Sequence, residues 1–184
     1  GRGGRRPRVG EASPSYVLHP LAPERVAALV PDVRLVVLLR NPVERAYSRF
    51  AAAADPTAVL PLWIDLANPS PAQGWAHGEW PALTDRTQAD VVLALALIHP
   101  LAIGNNIPIP AVLDFLMRLG RRAIVEWVPK DDPQVKRLLS SRADIFAGYS
   151  EDHFREAAEA RFRIVSRMPV AGTGRVLYLI EPTA

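Results

Sequence analysis

Residues 35–42 read Leu-Val-Val-Leu-Leu-Arg-Asn-Pro, and this octet decides the fold class. Five apolar residues in a row, Leu35–Leu39, are bounded by Arg34 and Arg40. A run without polar alternation fits a strand covered on both faces, the pattern of a parallel sheet. Asn41 follows as an N-cap candidate, and Pro42 suits a first helical position. Val43, Ala46, Tyr47 and Phe50 then keep helical spacing, which predicts a helix from Pro42 to Ala54. A strand feeding directly into a helix is the repeating unit of α/β proteins.

The same reading extends in both directions. Upstream, Pro20, Pro23 and Pro31 bracket a short helix, and Gly1–Gly10 is a flexible basic lead. Downstream, Leu60–Leu66 reads as a strand ended by Asn68-Pro69-Ser70-Pro71, and a polar loop with tryptophans runs from Gln73 to Gln88. Val91–Ile98 is a further buried strand, stopped at His99-Pro100. A loop over Gly104–Pro110 leads to a helix at Ala111–Leu119 closed by Gly120. Ala123–Val128 is a strand stopped by Pro129, and Val135–Ser141 and Glu151–Ala160 are helices, the second capped by Ser150. Phe162–Ser166 and Val176–Glu181 flank a turn at Ala171–Gly174 and predict an antiparallel hairpin. The expectation is an α/β fold: a mostly parallel, Rossmann-like sheet of six strands, five of them parallel or nearly so. Helices are expected on both faces, and the C-terminal antiparallel hairpin at the edge.

Composition excludes several classes. The 184 residues are 49% hydrophobic and 22% charged, so disorder and low complexity do not apply. There is no cysteine, which removes disulfides, thiol nucleophiles and Cys-based metal sites. The four histidines lack metal-ligand spacing, so no metal is expected. Residues 1–54 carry nine Arg against four acids, a net +5, whereas residues 55–184 carry thirteen basic residues against fifteen acids, a net −2. The basic lead is not followed by an aromatic-interleaved basic face, so no nucleic-acid partner is expected. No apolar run approaches the roughly 20 residues of a membrane span, which leads to the expectation of a cytoplasmic protein without a membrane partner. Glycine at position 1 suggests a missing natural start. Trp63, Trp75, Trp80 and Trp127 read as packing residues.

Two stretches carry family resemblances. Residues 10–50, GEASPSYVLHPLAPERVAALVPDVRLVVLLRNPVERAYSRF, resemble sulfotransferases that use 3′-phosphoadenosine 5′-phosphosulfate (PAPS), especially the bacterial and heparan-sulfate type. The carrying residues are Gly10, Glu11, Ser13, Pro14 and Tyr16, then Leu39 through Ser48. The resemblance implies that Arg40 and Ser48 hold the 3′-phosphate. A strand end leading into a helix N-terminus suits an anion, and a guanidinium meets phosphate in bidentate fashion. The glycine-rich Lys-Ser/Thr loop that clamps the 5′-phosphosulfate in that family is not matched by Gly1–Arg6.

Segments over residues 55–180 resemble instead the C-terminal part of class I S-adenosylmethionine (SAM)-dependent methyltransferases, of a type related to nodulation enzymes. They are LPLWIDLANPSPAQGWAH, ADVVLALALIHPLAIGNNIPIP, FLMRLGRRAIVEWVPKDDPQVKRLLSSRADIF and RVLYLIE. This resemblance implies a seven-stranded sheet with an antiparallel last strand. It also implies a role for Asp65 at the adenine amino group. His99 and the loop Gly104-Asn105-Asn106 would lie at the methyl-transfer end, with His99 the catalytic candidate. Members typically show a second histidine where this chain has Pro100, and the acidic glycine-rich loop of the first strand is not matched. Each residue also has a plainer reading: Asp65 as a turn cap, His99 as a buried structural histidine, Asn105-Asn106 as a turn.

The expected organisation is a basic lead at 1–9, a sulfotransferase-like strand and helix at 10–54, and a methyltransferase-like segment at 55–184 packed with it as one domain. Arg40, Asp65 and His99 would then share the rim at the carboxyl ends of the strands. Three functional readings follow: a methyltransferase-like domain incomplete at its donor site, a truncated sulfotransferase segment that binds a nucleotide-like small molecule, or a non-enzymatic fused fragment.

Overall fold

A computed structural model of the chain describes residues 64–183 together with the backbone of Leu35–Leu38. The expected basic lead, the helix Pro42–Ala54, Arg40, Ser48, Trp63 and the start of the strand at 60–66 lie outside these residues. The described strands are β1 (Leu35–Leu38), β2 (Val91–Ala94), β3 (Ala123–Trp127), β4 (Phe162–Pro169) and β5 (Val176–Pro182). They form a mixed sheet in the order β1-β2-β3-β5-β4. β1 pairs with β2 and β2 with β3 in parallel, β5 is antiparallel to β3, and β4 is antiparallel to β5. β4 therefore runs in the same direction as the first three, and β5 alone runs against them.

The α/β class and the terminal hairpin agree with the sequence reading, but six strands are not found among the described residues. Ile64–Leu66, the described end of the strand expected at 60–66, leads into a turn in which Asn68 N donates to Asp65 O at 3.2 Å. β1 instead lies directly beside β2, with Leu38 level with Ala94.

The second departure is in β2. An apolar run from Val91 to Ile98 suggests eight residues of strand, yet the strand ends at Ala94. Ala96 enters the left-handed region at φ 52°. The chain then winds into a wide π-helical turn over Pro100–Gly104. Leu95, Leu97 and Ile98 are buried all the same. Apolar residues continue past the strand end without a break, so hydrophobicity alone could not mark where the strand stopped.

Four α-helices are described: α1 (Leu83–Arg86), α2 (Ile109–Leu119), α3 (Pro133–Leu139) and α4 (Glu151–Glu159). α2 buries Ile109, Val112, Leu113, Leu116 and Leu119, one stripe at helical spacing, and packs against α4 and β2. Asp132 caps α3 by accepting from Gln134 N at 2.8 Å, and Ser150 caps α4 by accepting from His153 N at 3.2 Å. α4 lays Phe154 against Tyr178 of β5, with ring centroids 5.0 Å apart, and against Trp127 of β3 at 5.5 Å. Tyr149 stacks on Trp127 at 4.5 Å and donates its hydroxyl hydrogen to Val128 O at 2.7 Å. Trp127, Tyr178 and Phe154 are the three largest fully buried side chains of the described residues.

Trp75 and Trp80 do not join them. They stand 87% and 64% exposed on a loop closed by two hydrogen bonds between the backbones of Gln73 and Trp80. The expectation of packing holds for Trp127 and fails for these two. Among the described residues no helix is long and apolar enough to cross a membrane.

Two predictions follow from this packing. A Cβ added at Gly120 would lie 2.9 Å from Ala89 O and 2.8 Å from Val92 Cγ2, at the point where Gly120 bridges to Ala89. Gly120→Val should cost about 1–3 kcal/mol by overpacking, read as a lower urea midpoint. Gly104→Ala, whose Cβ would meet nothing within 4 Å, should leave the midpoint unchanged. The second concerns Tyr178, whose hydroxyl donates to Glu151 and accepts from Arg167 Nε at 3.1 Å. Burial, then the Glu151 carboxylate, push this phenol up from 10.0 to about 12. A raised folded value favours the neutral ring, so its contribution is complete below pH 10 and is lost as pH rises towards 12. Denaturation midpoints should fall across that window, and the fall should be smaller in Tyr178→Phe.

Candidate functional site

His99, beyond the end of β2, and Glu126, near the end of β3, are buried, each 1% exposed. Strand alternation sets Glu126 on the sheet face opposite Val125 and Trp127. Its Oε2 accepts from Ala96 N at 2.6 Å, and its Oε1 accepts from Arg175 Nη1 at 3.3 Å. Arg175 enters β5 from the hairpin turn and donates through Nε to Asp132 Oδ2 at 2.9 Å. One guanidinium therefore joins the carboxylate at the end of β3 to the carboxylate that caps α3.

The electrostatics agree with this geometry. Burial alone would raise Asp132, but the Arg175 guanidinium and the Gln134 N–H outweigh it and hold the carboxyl below its ordinary value. His99 acts electrostatically on Asp132 in the same direction, which places it within reach of the cluster. Burial would lower Arg175, yet its bond to Asp132 and the charge of Glu126 hold it above the usual guanidinium value. The Tyr149 phenol is pushed up by burial and then by Asp132.

His99 starts the turn that becomes Pro100–Gly104, with helical φ −65° and ψ −40°. It therefore lies five residues past the strand end, not at it. The loop that follows is held by Arg142, which donates to the carbonyl of Ile103 and, at 2.8 Å, to Asn106 Oδ1. Asn105 Nδ2 donates to Pro100 O at 2.9 Å. Asn106 takes φ 55°, in the left-handed region that asparagine tolerates well. Asn105 thus closes its own loop, Asn106 is held by Arg142, and both stand exposed beyond His99. Asp65 is exposed, and its Oδ1 accepts from Ala67 N at 2.9 Å, an Asx turn of the kind its neighbours Asn68-Pro69 suggest. Its described bonds are local, so the structure does not tie Asp65 to His99.

Glu126, Arg175, Asp132 and Arg142 escaped the sequence reading. The one available signal was Glu126 itself, an acid inside the apolar run Ala123–Val128, since a charge in a strand buried on both faces needs a partner. Nothing in the sequence named Arg175, 49 residues away, as that partner. Among the described residues, no group of three or more His, Cys, Asp or Glu could hold a metal ion.

No family model matches the sequence. The chain is similar to the nodulation protein NoeA of Rhizobium meliloti (strain 1021), at 42% identity over 122 residues, which are 66% of this chain and 26% of NoeA. It is also similar to human heparan sulfate glucosamine 3-O-sulfotransferase 6, at 44% identity over 57 residues, or 31% of this chain and 17% of that enzyme. A similarity of 44% over 52 residues links it to the bifunctional heparan sulfate N-deacetylase/N-sulfotransferase 1 of Caenorhabditis elegans, covering 27% of this chain and 6% of the relative. The chain therefore spans about a quarter of NoeA and less of the sulfotransferases. None of these similarities runs through the whole chain.

The ion-pair cluster generates its own test. Arg175→Met leaves the Glu126 and Asp132 carboxylates buried without their guanidinium and should cost about 3 kcal/mol at neutral pH. The lowered pKa of Asp132 contributes stability above its unfolded value of 3.8 and loses it as pH falls through the folded one. In the variant the Gln134 N–H still opposes burial, but the lowering by the guanidinium is gone. The gap between the two proteins in urea denaturation should therefore narrow as pH drops through and below 3.8.

Proposed function

We propose that the chain carries the carboxyl-terminal part of a group-transferase sheet of the class I methyltransferase kind, and that it takes a SAM-type donor at the rim beyond β2 and β3. The observation that carries this reading is β5, a single antiparallel strand inserted between β3 and β4 in a sheet whose other strands run one way. An antiparallel last strand is what the methyltransferase resemblance implies, and the NoeA similarity extends over 66% of the chain. In open α/β sheets the ligand crevice lies outside the carboxyl ends of the strands.

The candidate residues fit such a donor in type. An exposed carboxylate with one of its lone-pair sites taken by Ala67 N–H, as in Asp65, suits an exocyclic amine. Asn105 and Asn106 keep the other halves of their carboxamides available beside their bonds to Pro100 and Arg142. His99 is the candidate for holding the acceptor's proton. When bound, the donor would supply an electrophilic methyl group. The chain's own contribution would be proximity and orientation of the acceptor. The sequence matches no acidic glycine-rich donor loop, so the reading is of a domain incomplete on its donor side.

A second reading has its own support. β1 ends level with β2, Leu38 beside Ala94, and Arg40 follows two residues later in a stretch resembling the PAPS 3′-phosphate segment. Under this reading Arg40 and Ser48 bind a nucleotide 3′-phosphate at the same edge of the sheet. The two readings separate by titration calorimetry of the folded chain. S-adenosylhomocysteine should give saturable heat, and adenosine 3′,5′-bisphosphate none. Heat from the bisphosphate alone, abolished by Arg40→Ala, would transfer the site to the sulfotransferase reading. Silence from both ligands would overturn both and leave a non-enzymatic fused fragment.

A further inference from the structure

Alanine does not favour the conformation it holds at the end of β2. Ala96 sits at φ 52°, where a Cβ crowds the backbone and glycine is the usual occupant. Its neighbours Leu95, Leu97 and Ile98 are buried apolar residues and supply no reason for that turn. The polar reason is a side chain thirty residues away: Ala96 N donates to Glu126 Oε2 at 2.6 Å. Glu126 is itself fixed, because its second oxygen accepts from Arg175, which is anchored by Asp132.

The geometry points to Glu126 as a positioning residue for the turn from Leu95 to His99, with Arg175 holding it in place. Strained backbone persists where surrounding structure over-determines it, and such sites cluster where ligands bind. Here the carboxylate selects the left-handed state of Ala96, and that state directs the chain out of the sheet and into the helical turn starting at Ile98 and His99. Leu101 N then donates to Leu97 O at 3.3 Å, continuing the new direction. A longer β2 would have carried His99 along the strand axis, away from the cluster whose Asp132 it influences. The inference deepens the methyltransferase reading and rests on it for the ligand, but the positioning of the turn stands apart from any ligand.

Glu126→Gln is the informative change because it keeps the shape. The carboxamide replaces one of the two oxygens by an NH2, so it cannot accept on separate atoms from both Ala96 and Arg175. Native-state hydrogen exchange of the Ala96 amide is read against that of Val92, which donates to Arg122 O at 2.8 Å. The variant should speed exchange at Ala96 relative to Val92 by about tenfold, the equivalent of one lost hydrogen bond. S-adenosylhomocysteine should bind more weakly by a similar factor. Adding Ala96→Gly, which adopts the left-handed state without a Cβ penalty, should recover at least half of the lost affinity. Arg175→Lys, which keeps the charge and loses the fork, should give an intermediate exchange rate and serves if the glutamine variant fails to fold. Equal acceleration at Ala96 and Val92 would show ordinary destabilisation and overturn the inference, as would no acceleration at either. Absence of S-adenosylhomocysteine binding to the wild type would count against the functional reading alone, since the exchange measurement needs no ligand.

Discussion

A carboxylate buried at the end of a strand must find donors for both of its oxygens, and the way Glu126 meets this demand organises one end of the molecule. Its donors are the Ala96 amide, beyond β2, and the Arg175 guanidinium, at the start of β5. Arg175 reaches on to Asp132, the cap of α3. Four elements thereby meet at one point, each contributing a polar group that would be costly to leave unpaired. Replacing the group by hydrocarbon would relieve the desolvation but would remove the directional bond that turns the chain at Ala96. The cluster thus contributes geometry where an apolar core would contribute only cohesion.

The opposite face of the sheet depends on ordinary packing. Trp127 follows Glu126 in β3 and, by alternation, points the other way into the group formed with Tyr149, Phe154 and Tyr178. Tyr149 connects the two systems, since its ring packs on Trp127 while Asp132 acts on its hydroxyl. The exposed loops are secured separately. Arg142 ties the carbonyl of Ile103 and the side chain of Asn106 together, and its guanidinium lies 4.9 Å from the centre of the Phe146 ring. The rim beyond β2 is therefore held from below by Glu126 and from the side by Arg142.

The similarities divide as the residue patterns do: one towards NoeA, longer and covering the larger share of the chain, and a shorter one towards heparan sulfate sulfotransferases. Both resemblances direct attention to the carboxyl ends of parallel strands, because such ends present backbone amides and diverging loops to a ligand. β1 and β2 finish level with each other, so a strand from one pattern and a strand from the other contribute to one edge.

The sequence by itself determined the α/β class, the cap of α4 at Ser150, the strand Ala123–Trp127 and the terminal hairpin. Each rests on local chemistry: apolar periodicity, a side chain that accepts from the next turn, or a turn rich in glycine. It also marked His99 and the loop Gly104–Asn106 as a region to inspect. The tertiary structure decided where β2 ends, that Trp75 and Trp80 face solvent, and that Glu126, Arg175 and Asp132 form one cluster. The reason is physical. Burial makes an apolar strand and an apolar turn read alike, and an ion pair spanning 49 residues leaves no periodic trace in the chain. Only folding brings Arg175 to Glu126, and only that pair gives Ala96 a reason to turn.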